Sequence, residues 1–585
     1  MKISEAELSI KRTFGTNGIR GDDITEETQR RIASGTAEVL AGQWKKECPG
    51  KDLPFIMVGF DPRPQGKNGF NIGEMSESKA VAETFAACGF KVSFVPKPIA
   101  APFMISVTGN GVHPKNIYAA IMRTASHNEV VDPGSGRLVS GVKVFLNNAP
   151  APDSLTGLIS ERINDKKLAE EAPSVPFDKA VADGRIVIVR PGDEDDPDTV
   201  EFKRLCSVFD LKKLGEDFRA KYPDMKIAIN TMNGGMSKFA IKVLNATGFK
   251  EGKNFRAFNT VFMNDMSMKG KMTGWVEYND PATGERKKVR FAPDPTRPWM
   301  RGKDYQDYVA SDPSHIIALL IDGDADRLVA ELKKEIIPND IGMLAAYYLA
   351  KYKGQTGRVV RTVPTTGGFD ALAKALGLGS VQVTPVGSKW FAGPNKYYNG
   401  TLNDILVAVE ESGHIGFIKE NIAEGKKELF FDHSICLAAL MLEMMTETGK
   451  TWQDFADEMW AFIKDKTGQD RIAAPRYGIA KDEGAEKYYD LVARLGNPEA
   501  GDFRKMFGEK LEKELASAGL PWKVSGFDIT DAGGAQIQFA GGRKLFPRKS
   551  GTDGSIRLYV EVLEKERGEA PKLVNIMRKV MDFVI

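Results

Sequence analysis

The chain has 585 residues, and at roughly 100–200 residues per domain that length predicts three to five domains, each large enough to bury its own core. Hydrophobic residues make up 42% and charged residues 27%, a globular composition that excludes a wholly disordered, collagen-like or coiled-coil chain. Lys and Arg total 81 against 79 Asp and Glu, a formal net charge of +2, so nothing in the overall balance calls for nucleic acid or an acidic membrane, and any anion must be bound locally.

The four cysteines, Cys48, Cys88, Cys206 and Cys436, lack C-x-x-C spacing; neither a disulfide framework nor a zinc site is expected, and a reducing compartment fits. The segment Met1 to Glu7 has no apolar signal-peptide core, and the longest apolar runs are too short to span a bilayer, so a cytoplasmic location is expected.

Taken in chain order, the first feature is the Gly-bearing stretch Phe14-Gly15-Thr16-Asn17-Gly18-Ile19-Arg20-Gly21. Phe55 to Gly59 then predicts a buried strand, followed by the loop Asp61-Pro62-Arg63-Pro64, a helix through Ala80 to Cys88 and a second strand from Lys91 to Val95, together a βαβ unit. A strand over Ile117 to Met122 leads into Arg123-Thr124-Ala125-Ser126-His127-Asn128-Glu129, placing Ser126 and His127 at a strand end, where α/β sheets bind ligands. Neighbours on an extended loop point apart and no G-x-S-x-G surrounds Ser126, which disfavours a Ser-His-Asp hydrolase. On its own the stretch reads more readily as a polar turn, and its context must decide.

The polar stretch from Asp153 to Pro197 reads as a domain-linking segment. The strand-loop-helix unit recurs at Lys226 to Leu244 and at Arg358 to Thr384, and this unequal spacing predicts three related α/β domains rather than a solenoid. Between them, Asn264 to Asp312 reads as an insertion with a hairpin over Trp275 to Arg290, its turn at Asn279-Asp280-Pro281.

After the strand His315 to Ile321 comes Asp322-Gly323-Asp324-Ala325-Asp326-Arg327. Alternating carboxylates in a tight turn converge on one hard divalent cation, and without one they repel each other. An EF-hand is excluded, because Arg327 and Lys333 take the places of its turn glycine and bidentate glutamate. Further on, the loop at Thr384 to Phe391 carries Lys389, and a strand from Ile405 to Val409 precedes Glu410-Glu411-Ser412-Gly413-His414. The last hundred or so residues differ: a helix from Phe503 to Ala516, alternating strands such as Ala535 to Phe539, and a final helix from Pro571 to Val584 predict an α+β domain. Its loop Arg548-Lys549-Ser550-Gly551-Thr552, before a strand from Ile556 to Val560, offers cations, hydroxyls and close backbone approach to a phosphate, or is simply a basic turn. No stretch matches a P-loop or G-x-G-x-x-G, and no nucleotide site is expected.

Five of these loops, in this order, resemble the α-D-phosphohexomutase superfamily, the phosphoglucomutases and phosphomannomutases: F-G-T-N-G-I-R-G at 14–21, T-A-S-H-N at 124–128, D-G-D-A-D-R at 322–327, E-E-S-G-H at 410–414 and R-K-S-G-T at 548–552. The resemblance covers nearly the whole chain and implies four domains around a central cleft: a phosphoserine-bearing α/β domain (1–204), a metal-binding α/β domain (205–338), a sugar-recognition α/β domain (339–465) and a C-terminal phosphate-binding α+β domain (466–585). It implies that Ser126 is the phosphoserine and that Asp322, Asp324 and Asp326 hold Mg²⁺ together with a phosphoserine oxygen. His127 and Arg327 would neutralise the transferring phosphoryl group. Arg20 and Lys143 would stand at the general acid/base positions, Lys143 then needing a lowered pKa because an ammonium near 10.4 is a poor base at neutral pH. Glu410, Ser412, His414 and Lys389 would contact the sugar, and Arg548, Ser550, Gly551 and Thr552 the distal phosphate.

The activity so implied is interconversion of hexose 1-phosphate and hexose 6-phosphate through a hexose 1,6-bisphosphate, with small sugar phosphates as the only partners. A phosphoglucosamine mutase, a hexose bisphosphate synthase and a catalytically silent sugar-phosphate-binding protein are the alternatives. Three positions depart from the family pattern: Glu129 for a proline, Val409 for a glycine and His433 for a glycine. Glu129 is expected to face solvent or pair with a cation, since a carboxylate turned inward would repel a phosphoserine.

Overall fold

The computed structural model describes all residues except 16, 17, 67, 68, 72, 110, 280–284, 392, 394, 396, 423, 424, 481, 482, 532 and 551–554. It divides into two compact units, Met1–Ile336 with Ser412–Trp452 and Ile337–Glu411 with Gln453–Ile585.

The first unit contains two α/β sheets. In the first, the strands run in the order Ile19–Gly21, Ser140–Leu146, Ala119–Arg123, Phe55–Phe60, Lys91–Pro98 and Ile186–Ile188, with the short strand Ala149–Pro150 paired to Ser140–Leu146. Phe55–Phe60 is parallel to both its neighbours, as the βαβ reading requires, whereas Ser140–Leu146 turns the edge antiparallel. Helix Glu26–Glu47 opens on a capping box between Thr25 and Thr28 and carries acids in its first turn and lysines in its last, complementing its dipole.

The stretch from Asp153 to Pro197 is not a mere linker. Its strand Ile186–Ile188 adds to the first sheet beside Lys91–Pro98, and Leu155, Ile159 and Ile163 of helix Asp153–Asn164 are buried in the same core as Ile32, Ala33 and Leu40. The amphipathic spacing of those three residues supplies the apolar stripe.

The second sheet orders Lys334–Ile336, Leu328–Leu332, Ile316–Ile321, Lys226–Asn230 and Phe255–Phe258. Ile316–Ile321 is apolar throughout and buried throughout, as a central strand covered on both faces must be. The insertion carries the expected hairpin, Trp275–Asn279 with Arg286–Arg290; Asp280 and Pro281 of its turn lie outside the described residues. Ile415–Glu420 and Lys427–Phe430 form a further antiparallel pair in this unit.

In the second unit, Gln382–Thr384, Arg358–Thr362 and Ile405–Val409 are parallel neighbours. Helix Gly368–Leu376 stops at Gly377, whose φ of +69° is the left-handed conformation that favours glycine. Val409, a departure from the family pattern, packs where a Cβ at Gly342 would meet its Cγ2 at 2.7 Å. The C-terminal sheet is antiparallel and reads alternately buried and half-buried along Ala535–Phe539, one face toward the core formed with helices Gly501–Ser517 and Ala570–Val584. No helix among the described residues is long and apolar enough to cross a membrane.

Candidate functional site

Strand Ala119–Arg123 delivers Thr124, Ser126 and His127 at its carboxyl end, and all three are buried. Ser126 holds φ at +57°, a left-handed conformation costly for a residue with a Cβ. The kink turns the side chain back, so Ser126 Oγ and His127 Nδ1 stand 3.3 Å apart. The expectation that these neighbours point apart fails for this reason: it assumed an extended loop.

The loop is held from two sides. Ser126 N–H donates to Thr124 Oγ1 at 2.8 Å, and Thr124 Oγ1 donates to Asp61 Oδ2 at 2.6 Å and approaches Asp324 Oδ2 at 3.2 Å. Arg63, fully buried, donates to the carbonyls of Ser126 (2.5 Å), Asn128 (2.7 Å) and Glu129 (3.0 Å). Burial lowers the Arg63 guanidinium to about 10, although Asp61 beside it opposes the shift. Asp61 and Arg63 are the residues that sequence reasoning noted as a loop and gave no role. Their partners lie more than sixty positions away, and the only local signal was two charges flanking a proline at a strand end.

The acidic loop follows Ile316–Ile321. Asp322, Asp324 and Asp326 are fully buried and their oxygens lie within 4.8 Å of one another. Lys143 reaches across from strand Ser140–Leu146 to Asp324 Oδ2 at 2.7 Å and Asp326 Oδ2 at 2.6 Å. Arg327 Nε stands 3.6 Å from Asp326 Oδ1 and 3.9 Å from Asp322 Oδ2. His414 Nδ1 lies 3.0 Å from Asp432 Oδ2 and 3.9 Å from Asp326 Oδ2. Asp432, which no sequence motif singled out, thus joins the cluster.

The electrostatics are uneven. Burial and the neighbouring carboxylates push Asp322 well above the usual carboxylate range, while at Asp326 the charges of Lys143, His414 and Arg327 outweigh burial and hold the group below it. Burial by itself would depress Lys143, but Asp324 and Asp326 more than offset it, so its ammonium is raised above 10.5 and not lowered. In this arrangement the two carboxylates in contact with Lys143 favour its charged form. Arg20, half-buried with its guanidinium beside these aspartates, is lowered by burial, with Asp324 the largest opposing charge.

The donor set fits a hard cation. One oxygen each of Asp322, Asp324 and Asp326 is buried and accepts no hydrogen bond from the described residues, a costly state that a divalent ion with a preference for oxygen ligands relieves.

The remaining predicted residues divide between the units. Ser412 and His414 belong to the first, while Lys389, Glu410, Arg548 and Ser550 belong to the second. There, Glu410 Oε2 accepts the Gly387 N–H at 2.8 Å, tying the Gly-bearing loop to the end of Ile405–Val409, and Lys389 sits 5.4 Å from the centre of the Trp390 ring. Arg548 is buried on strand Arg543–Lys549 opposite Arg557, and Ser550 N–H donates to Ser555 O at 2.8 Å. Gly551 and Thr552 lie outside the described residues, as do Thr16 and Asn17 of the first motif.

The chain is similar to known proteins. The model of the phosphoglucomutase/phosphomannomutase family for alpha/beta/alpha domain I matches residues 11–170, and that for alpha/beta/alpha domain III matches residues 337–462. A phosphoglucomutase of Emericella nidulans is 24% identical over 553 residues, covering 89% of this chain and 85% of its own. A phosphoglucosamine mutase of Caldanaerobacter subterraneus subsp. tengcongensis is 25% identical over 559 residues and 94% of each chain. Among solved structures, pp63/parafusin (phosphoglucomutase) from Paramecium shares the fold with a TM-score of 0.63 at 16% identity, over 98% of this chain and 96% of its own.

Proposed function

The chain belongs to the α-D-phosphohexomutase superfamily and is an intramolecular phosphotransferase; from that premise we propose that it moves a phosphoryl group between the 1- and 6-hydroxyls of a hexose through phosphorylated Ser126. The observation that supports this most is the placement of Ser126: buried, held at positive φ, and linked through Thr124 to Asp324 of the acidic loop. Such strain is kept where the surroundings over-determine it, which is typical of functional positions.

In the first half-reaction the bond from phosphorus to Ser126 Oγ breaks as a bond from phosphorus to a substrate hydroxyl oxygen forms, and the proton given up by that hydroxyl is balanced by the one Ser126 Oγ takes up as it leaves. The second half-reaction is the reverse, on the other hydroxyl of the same bisphosphate. Imidazole Nδ1 of His127, 3.3 Å from Ser126 Oγ, is placed to hold a proton at that oxygen. Lys143, in contact with Asp324 and Asp326, brings a positive charge to the site and is assigned to the general acid/base position on the match of its motif. Arg20 and Arg327 add positive charge beside the aspartates. Asp322, Asp324 and Asp326 would hold a divalent cation such as Mg²⁺, which when bound would supply further neutralisation of the transferring group. Lys389, Glu410, Ser412 and His414 are assigned to the sugar and Arg548, Ser550, Gly551 and Thr552 to the distal phosphate, on the match of their motifs.

Glucose is the preferred sugar in this reading and mannose a slower one. The epimers differ at one hydroxyl, and a polar contact worth about 0.5–1.5 kcal/mol gives roughly tenfold discrimination at most. A second reading, phosphoglucosamine mutase, is favoured by the relative that matches 94% of the chain. A coupled assay with glucose, mannose and glucosamine 1-phosphates, run on the parent and on Ser126→Ala, separates these. We expect kcat/KM highest for glucose, measurable for mannose and absent for all three sugars in the variant. Glucosamine favoured supports the second reading. Binding without turnover in the parent supports a silent binding protein, and full turnover in Ser126→Ala overturns the role of the serine.

A further inference from the structure

Residues Phe291 to Arg297, in the part of the insertion that follows the hairpin, touch both of the loops that carry the proposed chemistry. Val130 N–H donates to Phe291 O at 3.0 Å, just after the serine loop, and Gly323 N–H donates to Pro293 O at 3.1 Å, inside the acidic loop. The packing is close: a Cβ at Gly323 would stand 2.6 Å from Pro293 Cγ and 2.9 Å from Ser126 O, so only glycine lets serine loop, acidic loop and insertion stack in this order. The segment is anchored from behind by a methionine-rich core in which Met232, Met263, Met272 and Met300 pack with Phe291 and Val130.

One charged contact closes the arrangement. Arg297 Nη1 binds Glu129 Oε1 at 2.9 Å, and Arg297 Nε lies 3.1 Å from Asp294 Oδ2. Both partners of the first pair are largely buried, at 23% and 16% side-chain exposure. Glu129 is thereby gripped twice, by Arg297 on its carboxylate and by Arg63 on its carbonyl. It is also the residue that directly follows T-A-S-H-N.

We propose that the Glu129–Arg297 ion pair is a latch that fastens the insertion across the serine and acidic loops and so fixes the register of Ser126 against Asp322, Asp324 and Asp326. Both are positioning residues. The proposal rests on the reading of Ser126 as the phosphoryl carrier. A glutamate leaves the backbone at 129 free by itself, and the ion pair to Arg297 supplies the restraint. Phosphoryl transfer depends steeply on placement, so a loosened loop slows transfer more than it weakens sugar-phosphate binding.

The test is a double-mutant cycle on the full chain with Glu129→Gln, Arg297→Gln and the pair combined, plus Arg297→Lys as the conservative variant. The single-turnover rate of phosphoryl transfer from Ser126 to hexose 1-phosphate, KM and thermal midpoint are measured, and intact mass records whether the parent carries phosphate on Ser126. We expect each Gln variant to lose about tenfold in the transfer rate, with KM within twofold and the fold intact, the double variant to lose no more than the worse single one, and Arg297→Lys to keep at least half of the parent rate. The latch is overturned by single variants within twofold of the parent, by losses that multiply to about a hundredfold in the double, or by an effect confined to KM. A parent without phosphate on Ser126 is a different failure: it removes the carrier reading, and the latch with it.

Discussion

Ser126, Ala325 and Asp432 each hold a positive φ without being glycine, at +57°, +69° and +48°. A left-handed residue with a Cβ costs about 1–2 kcal/mol, so the acidic loop and the two segments against it store strain at three points, each fixed by specific contacts. Ala325 N–H donates to Asp322 O at 3.1 Å and Ser434 Oγ donates to Ala325 O at 2.9 Å; the backbone thus turns the three aspartates inward together. The prediction at this scale concerns the metal. Asp324 is tied both to Lys143 and, through Thr124, to the serine loop, so Asp324→Asn removes one oxygen ligand and the partner of a buried ammonium at once. Mg²⁺ titrated by calorimetry into this variant is expected to bind at least tenfold more weakly than into the parent, with activity reduced at least a hundredfold. Parent-like affinity and turnover would make the loop structural.

Two helices of the first unit meet through a buried polar group that lies outside the proposed chemistry. Glu201, on helix Pro197–Val208, accepts His433 Nε2 at 3.0 Å and stands 3.6 Å from Arg204. His433 stands just before helix Ser434–Thr448 with its Nε2 on Glu201, which gives this residue a structural partner. Burial disfavours the Glu201 carboxylate, but His433 and Arg204 outweigh it and hold the group at about 2, against an ordinary 4.5. A depressed carboxyl contributes stability that is fully present above its unfolded pKa and is lost as pH falls toward the folded one. The interval of loss is therefore about 4.5 to 2, and the shift corresponds to about 3 kcal/mol. Urea unfolding of Glu201→Gln should show a deficit of about that size at pH 7, shrinking to about half at pH 3; a deficit independent of pH would show that the charge is not the cause. The elements themselves were readable where apolar runs are long: Ile316–Ile321 and Phe55–Phe60 match the expected strands within a residue at each end. Ile186–Ile188 was not, because it sits in a four-residue apolar run, Ile186 to Val189, too short to carry a period, and its sheet partner lies some ninety positions earlier.

Across the molecule, a net charge of +2 conceals strong local order. In the first unit, Arg20, Lys143 and Arg327 gather around Asp322, Asp324, Asp326 and Asp432, whereas Lys389, Glu410 and Arg548 belong to the second. The motifs of the first unit were legible in the sequence because each is a contiguous loop at a strand end. What escaped is what depends on chain passing over chain: the turn of Ser126 toward His127, the Asp61–Arg63 support beneath it, and the contact of Lys143 with carboxylates some 180 positions away. The central claim is that Ser126 carries the phosphoryl group. It is tested most directly by incubating the full chain with glucose 1,6-bisphosphate and Mg²⁺, then measuring intact mass and mapping the phosphopeptide. The account predicts a single added phosphate on Ser126, lost again when excess hexose 1-phosphate is supplied. Phosphate on another residue, or none on a preparation that turns over, would contradict it.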